Sequence, residues 1–402
     1  MIKAKVHGRC IQLTPTEITL INESGISQHP RSPNITPTTP LTSAAPLKIG
    51  DIVEISEAGI HILTSQQSQK TALSFQERIL HPRRLKAMRT RAQVETSTRA
   101  FFNQRAFHEV RTPLLVRSPG MEAHIDPFQL CTHQYLPSSP EFAMKKLLVG
   151  GLEKIFQVCP AFRNEPFSKQ HRPEFTLLEF YRAYSNYEVI MQDFENLVEQ
   201  LALQLFTKAS IVYQGQNISL KTPWPRLKIN DLFQQHLQID LLQENTADKL
   251  AARAQALGIQ THGDSWDETY FRLWLDFVEP RLAKDQAVFV THFPASQAAL
   301  ARLEGQHWAK RFEAYIGGLE LCNGFDELTD AKEQRRRFTE ELQLRKKLYG
   351  EENPIDENFL LALEEGMPPA GGVAVGLDRL IMLLADEPDI EYCFWLNPEP
   401  AT

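Results

Sequence analysis

Cysteine is sparse and follows no pairing pattern. Cys10, Cys131, Cys159, Cys322 and Cys393 are odd in number, far apart and without a C-x-x-C couple. That spacing argues against a disulfide framework and against a cysteine zinc site, so the thiols are expected to be reduced and structural. Long apolar runs are missing too. They break within about ten residues, well short of a membrane span. The opening MIKAKVHGRC has no apolar leader core, so a cytoplasmic protein without membrane contact is expected. Charge of one sign is not in excess: 43 Lys and Arg stand against 50 Asp and Glu, which gives no broad attraction to nucleic acid. Aromatics are almost absent from the first 80 residues, where Phe75 stands alone and seven basic residues face six acidic ones. Reading single-stranded RNA on a barrel needs aromatic platforms and a basic groove. That segment is therefore not expected to read an anticodon.

What is present suits a large soluble protein of 402 residues, 42% hydrophobic and 23% charged. Residues 1–79 read as a small β module, with alternating stretches at 2–13 and 51–64 and a Pro/Ser/Thr-rich loop at 29–46 between them. A degenerate OB-like barrel and a partner-docking tab both remain open for it. Residues 80–402 read as one larger domain. Leu85, Met88, Ala92, Glu95 and Thr96 recur at helical spacing and lead into HEVRTPLLV, read as a strand whose Pro113 suggests a sheet edge. Helices are expected at 141–150, 185–208, 247–258 and 330–348, the last rich in i, i+4 charge pairs. Helices and antiparallel-looking strands alternate irregularly, so the class is α+β.

Three segments carry chemistry. In IFQVCPAFRNE the alternation puts Gln157, Cys159, Ala161, Arg163 and Glu165 on one strand face, and the return strand EFTLLEFYRAY offers Phe175, Leu177, Glu179 and Tyr181. A guanidinium beside an aromatic ring suits a nucleotide's phosphate and base. In RFEAYIGGLELCNGFDELTD, a Gly317-Gly318 turn sets Tyr315 opposite Glu320 and Glu313 opposite Cys322. Glu313 and Glu320 then lie diagonally about 7–8 Å apart at the backbone. Two such carboxylates suit Mg²⁺ arriving with substrate phosphates. In PPAGGVAVGLDRL, a Gly-rich strand over 371–376 enters a helix carrying Asp378 and Arg379, with a helix N-terminus that favours anions. For each hairpin the alternative is a solvated ribbon with surface ion pairs.

Together these segments resemble the class II aminoacyl-tRNA synthetases. HEVRTPLL resembles their motif 1, a dimer-interface element; FRNE with HRPEF resembles motif 2, and GVAVGLDRL motif 3. FRNE, PEFTLLEFY, CNGFDELTDA and GLDRL are of the lysyl type. SSPEFAMKKLLVGG, HFPASQAALA and Ala374 are closer to the shorter ligases that modify elongation factor P.

The resemblance implies an antiparallel sheet flanked by helices, ATP and Mg²⁺ as cofactors, and a homodimer. It implies activation of lysine or (R)-β-lysine and its transfer to elongation factor P rather than tRNA. A lysyl-tRNA synthetase and a non-catalytic amino-acid sensor are the rival readings. By resemblance Arg163 and Arg379 are catalytic, and Arg163 holds the α-phosphate. Glu165 lies on the adenine side, His171 near the outer phosphates, and Phe175 and Arg379 enclose the adenine. Asn164, Leu321 and Gly376 complete the ATP contacts, and Glu313 and Glu320 carry Mg²⁺. Glu179, Tyr181 and Glu327 receive one ammonium and Glu141 the other. Asn323 binds the carboxylate, and Ser139, Pro140 and Ala374 line the pocket. One departure is Arg172, which stands where the family has Asn in HNPEF and could reach a phosphate instead.

Overall fold

The computed structural model describes residues 6–13, 17–22, 25–30, 51–56, 59–64, 78–130, 133–261 and 263–396. Two compact units result, one of residues 1–89 with 394–402 and one of residues 90–393.

The smaller unit holds an antiparallel sheet of β1 (Val6–Leu13), β2 (Glu17–Asn22), β3 (Gly25–Pro30), β4 (Ile52–Ser56) and β5 (Gly59–Thr64), in the order β3-β2-β1-β4-β5. Cys10, Ile18, Leu20 and Val53 form its core, with Ile55, Ile60 and Ile62 packed around them. The stretch 51–64 is thus a hairpin rather than one strand, and β3 takes up the first two residues of the expected Pro-rich loop. Residues 31–46, the rest of that loop, lie outside the described residues.

The chain continues through α1 (Pro82–Gln104), β6 (His108–Glu109), α2 (Glu141–Val149), β7 (Lys154–Phe162), β8 (Glu174–Ala183) and α3 (Tyr187–Phe206). A small ribbon of β9 (Ser210–Tyr213) and β10 (Gln216–Ser219) precedes β11 (Arg226–Lys228), α4 (Ile229–Leu237), α5 (Ala247–Ala256) and α6 (Trp266–Leu273). Then come β12 (Val288–Pro294), β13 (Leu303–Glu304), β14 (Trp308–Ile316), β15 (Leu319–Asp326), α7 (Ala331–Tyr349), α8 (Glu357–Gly366), β16 (Ala370–Gly376) and α9 (Leu377–Ala385). The central sheet runs β11-β12-β14-β15-β16-β8-β7-β6, with β13 beside β14. Its middle is antiparallel as expected, but both edge pairs, β11–β12 and β6–β7, are parallel.

One sheet face is closed by aromatic packing. Phe102 of α1 lies 4.8 Å from both Phe156 and Phe180. α3 buries Ile190, Phe194, Leu197, Val198 and Leu201. It starts so close to β16 that a Cβ at Gly371 would strike Ile190 and the Asn186 carbonyl. That face is therefore sealed, and chemistry is left to the other.

Three local expectations are corrected. Only His108–Glu109 of HEVRTPLLV is strand, because Pro113 offers no N–H and the Thr112 N–H is spent on the Gln157 side chain at 3.1 Å. In α1 the buried positions are Arg84, Leu85, Ala87, Met88, Val94, Thr98, Phe101 and Phe102, whereas Ala92 and Thr96 face solvent. The sheet demands large side chains on its neighbour, and Phe101 and Phe102 set the helix rotation. Lastly, Tyr315 does oppose Glu320 across the Gly317-Gly318 turn, but Glu313 opposes Asn323 rather than Cys322. Leu321 is the extra residue of a β-bulge, which shifts the register by one.

Candidate active site

Because of that bulge, Glu320 and Asn323, three apart in sequence, point to the same side of β15. Ladder pairing then strings Glu313, Asn323, Ala374, Glu179 and Gln157 across five strands in one row on the open face. The next row pairs Phe325 with Gly372 and Gly372 with Tyr181. A Cβ at Gly372 would fall well inside contact distance of the Tyr181 ring and the Glu327 carboxylate, so this glycine makes room for both. Gly372→Ala is expected to cost about 1–3 kcal/mol by overpacking and to lower the melting temperature measurably. An unchanged melt would show that the floor is not close-packed.

At one end lies an acidic pocket. Glu179 is fully buried and accepts hydrogen bonds from Ser139 Oγ at 2.6 Å and Tyr181 Oη at 3.1 Å. Ser139 Oγ in turn accepts from the Glu141 N–H at 3.0 Å and so fixes the start of α2, where Pro140 is the cap residue. Glu327 is buried just past β15. Between Glu141 and Glu327 sits Lys145, its Nζ 2.5 Å from Glu141 and 2.6 Å from Glu327. Burial acts against the Lys145 ammonium, yet its contacts with Glu141 and Glu327 keep it charged. One cation does not satisfy three carboxyls. Burial, then like-charge neighbours, push Glu179 up to about 8. Burial also drives Glu327 to about 8 against the pull of Lys145, and it raises Glu141.

At the other end lie the residues expected for a nucleotide. Arg163 sits 5.2 Å over the Phe175 ring, and its buried Nε has no hydrogen-bond partner among the described residues. Arg379 spans the site's two halves: it donates to the Glu320 carbonyl at 2.9 Å and contacts His171 Nε2 at 2.7 Å. Burial and the Arg379 charge lower the His171 pKa. A neutral ring that accepts from Arg379 leaves Nδ1–H to donate to Ser168 Oγ at 3.0 Å. Asp378, buried before Arg379, binds the Thr176 N–H at 2.7 Å and pairs with Arg91, which anchors α9 to β8. Gly376 caps α9 beside the Leu321 carbonyl.

Glu313 accepts from Arg311 at 2.6 Å and from Tyr315 Oη at 2.6 Å. Glu320 is exposed as a whole residue, yet enough protein surrounds it to weigh on its charge. Burial and the Glu313 charge raise it to about 7, against three arginines. A divalent cation fits this pair: it would remove the repulsion that keeps Glu320 partly protonated. Among the described residues no His, Cys, Asp and Glu cluster of three or more could hold a metal. Phosphate oxygens and water would have to complete the shell, the usual arrangement for Mg²⁺.

Two expected contacts are turned elsewhere. Asn164 spends its amide on Asp126 at 2.7 Å. Arg172 folds back into its own loop, bonded to the carbonyls of Ser168 and His171, with Asp389 at 3.6 Å and the Phe167 ring at 5.4 Å. In this arrangement it braces the loop.

Two site residues escaped the sequence reading. Arg311 donates to Asn323 Oδ1 at 3.0 Å as well as to Glu313, so it holds both in place. Strand alternation with Glu313 was its available signal. Lys145 stands at i+4 from Glu141, a spacing that ordinarily marks a surface pair.

Residues 70–396 match the family of tRNA synthetases class II (D, K and N). A lysine–tRNA ligase of Moorella thermoacetica is 38% identical over 78% of this chain and 65% of its own length. One from Coxiella burnetii is 37% identical over 83% and 67%. An elongation factor P–(R)-β-lysine ligase of Sodalis glossinidius is 38% identical over 73% of this chain and 89% of its own length. The chain thus spans about two thirds of the tRNA ligases it matches. Among the described residues no helix is long and apolar enough to cross a membrane. With residues 70–396 matched and an antiparallel core, the chain belongs to the class II tRNA synthetases of the D, K and N group.

Proposed function

We propose that the chain uses ATP to activate lysine or (R)-β-lysine and passes the acyl group to a lysine side chain of elongation factor P. The observation that carries this reading is the row Asn323–Ala374–Glu179. A neutral amide held by Arg311 at one end suits a carboxylate. Buried acids at the other suit ammonium groups. The two backbones stand two strand spacings apart, about 9–10 Å, a span that a six-carbon diamino acid bridges with help from the side chains.

The amino-acid carboxylate oxygen attacks the α-phosphorus, the bond to the β-phosphate oxygen breaks, and pyrophosphate leaves. Arg163 meets the charge that develops on the α-phosphate, and Arg379 holds the other side of the nucleotide. Phe175 offers its ring to the adenine. A divalent cation on Glu313 and Glu320 would neutralise phosphate charge. In the second step the acceptor amine attacks the acyl carbon, AMP departs, and the amine gives up a proton. No enzyme nucleophile is required, since positioning and charge supply the rate.

Elongation factor P is favoured over tRNA as acceptor by the first 80 residues, which hold only Phe75 as an aromatic. The near-full coverage of the Sodalis ligase points the same way. Comparable identity to the lysine–tRNA ligases keeps tRNA as the second reading. Labelled α- and β-lysine offered with tRNA and with purified elongation factor P should label the protein; labelling of tRNA alone would overturn the acceptor. A homodimer is part of the same reading, as is a non-reading role for the small β unit.

Ala374 sits between Asn323 and Glu179, so its methyl group shortens the space along the row. Ala374→Gly is expected to shift the ratio of kcat/KM values towards α-lysine, by about 10–200-fold at most for one carbon. An unchanged ratio in competing exchange assays would remove Ala374 from the specificity pocket.

A further inference from the structure

The acidic pocket holds its own cation, and this bears on which substrates it accepts. Glu141, Glu179 and Glu327 face one ammonium, Lys145, whose side chain is 1% exposed. Glu122 and Asp326 add negative charge around Glu141 and Glu327, and Tyr181 stands against Glu179. Lys145 is no loose surface chain. The Phe325 and Phe359 rings each lie 6.0 Å from its Nζ, and it bridges α2 to the end of β15. Buried carboxyls without counter-charge hold protons rather than ionise. With Lys145 in place the three carboxylates lack two positive charges, the number carried by a diamino acid.

Resting on the proposed substrate class, we propose that Lys145 is a positioning residue that sets the charge the pocket demands, so that a dicationic amino acid binds with release of protons from Glu179 and Glu327. Each ammonium that arrives takes the place of a proton on a buried carboxyl, and that proton goes to solvent. A monoamino acid of the same length brings one charge fewer and displaces fewer protons. Rejection of such an analogue then follows from charge balance and not from size alone. The raised Glu179 and Glu327, both about 8, agree with this arrangement.

The test is calorimetric titration of the full chain with lysine, in the presence of a non-hydrolysable ATP analogue, in phosphate and in Tris at pH 7. These buffers differ in ionisation enthalpy, so a difference in heat counts protons. Net release of about one proton or more is expected for lysine and less for norleucine. Equal heats in both buffers for lysine overturn the inference. Lys145→Met leaves Glu141 and Glu327 without their cation, so one more proton is held in the empty pocket and stays behind when the two ammoniums arrive. Its KM for lysine should rise roughly tenfold at pH 7, the equivalent of one pK unit, and recover towards pH 9 as the carboxyls ionise. Lys145→Arg keeps the charge and should keep the parent pH profile. A methionine variant with the parent's KM and pH profile would reduce Lys145 to packing. If the parent binds no lysine and lysine drives no pyrophosphate exchange, the substrate reading itself fails. If lysine binds and drives exchange without proton release, only the role of Lys145 falls.

Discussion

Arg163→Ala is expected to lower lysine-dependent ATP–pyrophosphate exchange by about 10²–10³-fold, with KM for lysine within a few-fold of the parent. The magnitude is that of removing one preorganised donor from developing charge, about 2.7–4 kcal/mol. The placement argues for it. Arg163 follows β7 at the start of the hairpin loop, its backbone N–H is tied to the Pro173 carbonyl at 2.9 Å, and its Nε is buried without a partner. A guanidinium left short of acceptors in the folded protein costs free energy that an arriving phosphate can offset. Arg163→Lys should recover only part of the loss, because a point charge does not reproduce the planar fork. Exchange within tenfold of the parent in the alanine variant would move the α-phosphate elsewhere.

Glu179→Gln should separate stability from function in the opposite way. In the empty pocket Glu179 holds its proton to about 8, so at neutral pH a neutral amide resembles what is already there. The melting temperature at neutral pH should therefore be no lower than the parent value. Glu179 contributes stability below the ordinary carboxyl range, and this is lost as pH rises through 8; the glutamine variant should not show that loss. Bound substrate reverses the balance. An ammonium without its buried carboxylate loses about 3–5 kcal/mol, so kcat/KM for lysine should fall by ~10²–10⁴ while KM for ATP holds. Lysine kinetics like the parent's would remove Glu179 from the ammonium site. A collapsed melt would instead mark it as structural, through Ser139 and Tyr181.

Strand alternation was enough to put Glu179 and Tyr181 on the face of Arg163 and Phe175, because side chains alternate whatever else the chain does. The Gly317-Gly318 turn was equally legible: both residues adopt positive φ, 60° and 82°, which few other residues accept. The bulge at Leu321 was not. Nothing in LELCNG marks an extra residue, yet it decides whether Asn323 faces the site or the core. It shows only in the pairing of β15 with β14, and the ladder to β16 then sets the row that Asn323 joins.

The sequence by itself determined the local grammar of this protein: which stretches are strand or helix, where the chain must turn, and which charged residues share a strand face. Those depend on neighbours one to four positions away. Only the tertiary structure decided that Lys145 lies between two glutamates instead of in water, that Arg311 steadies Asn323 and Glu313, and that Arg172 braces a loop. The energy of a buried charge depends on every group around it, and those groups come from α2, β8, β15 and β16, distant along the chain and adjacent only once the sheet has closed.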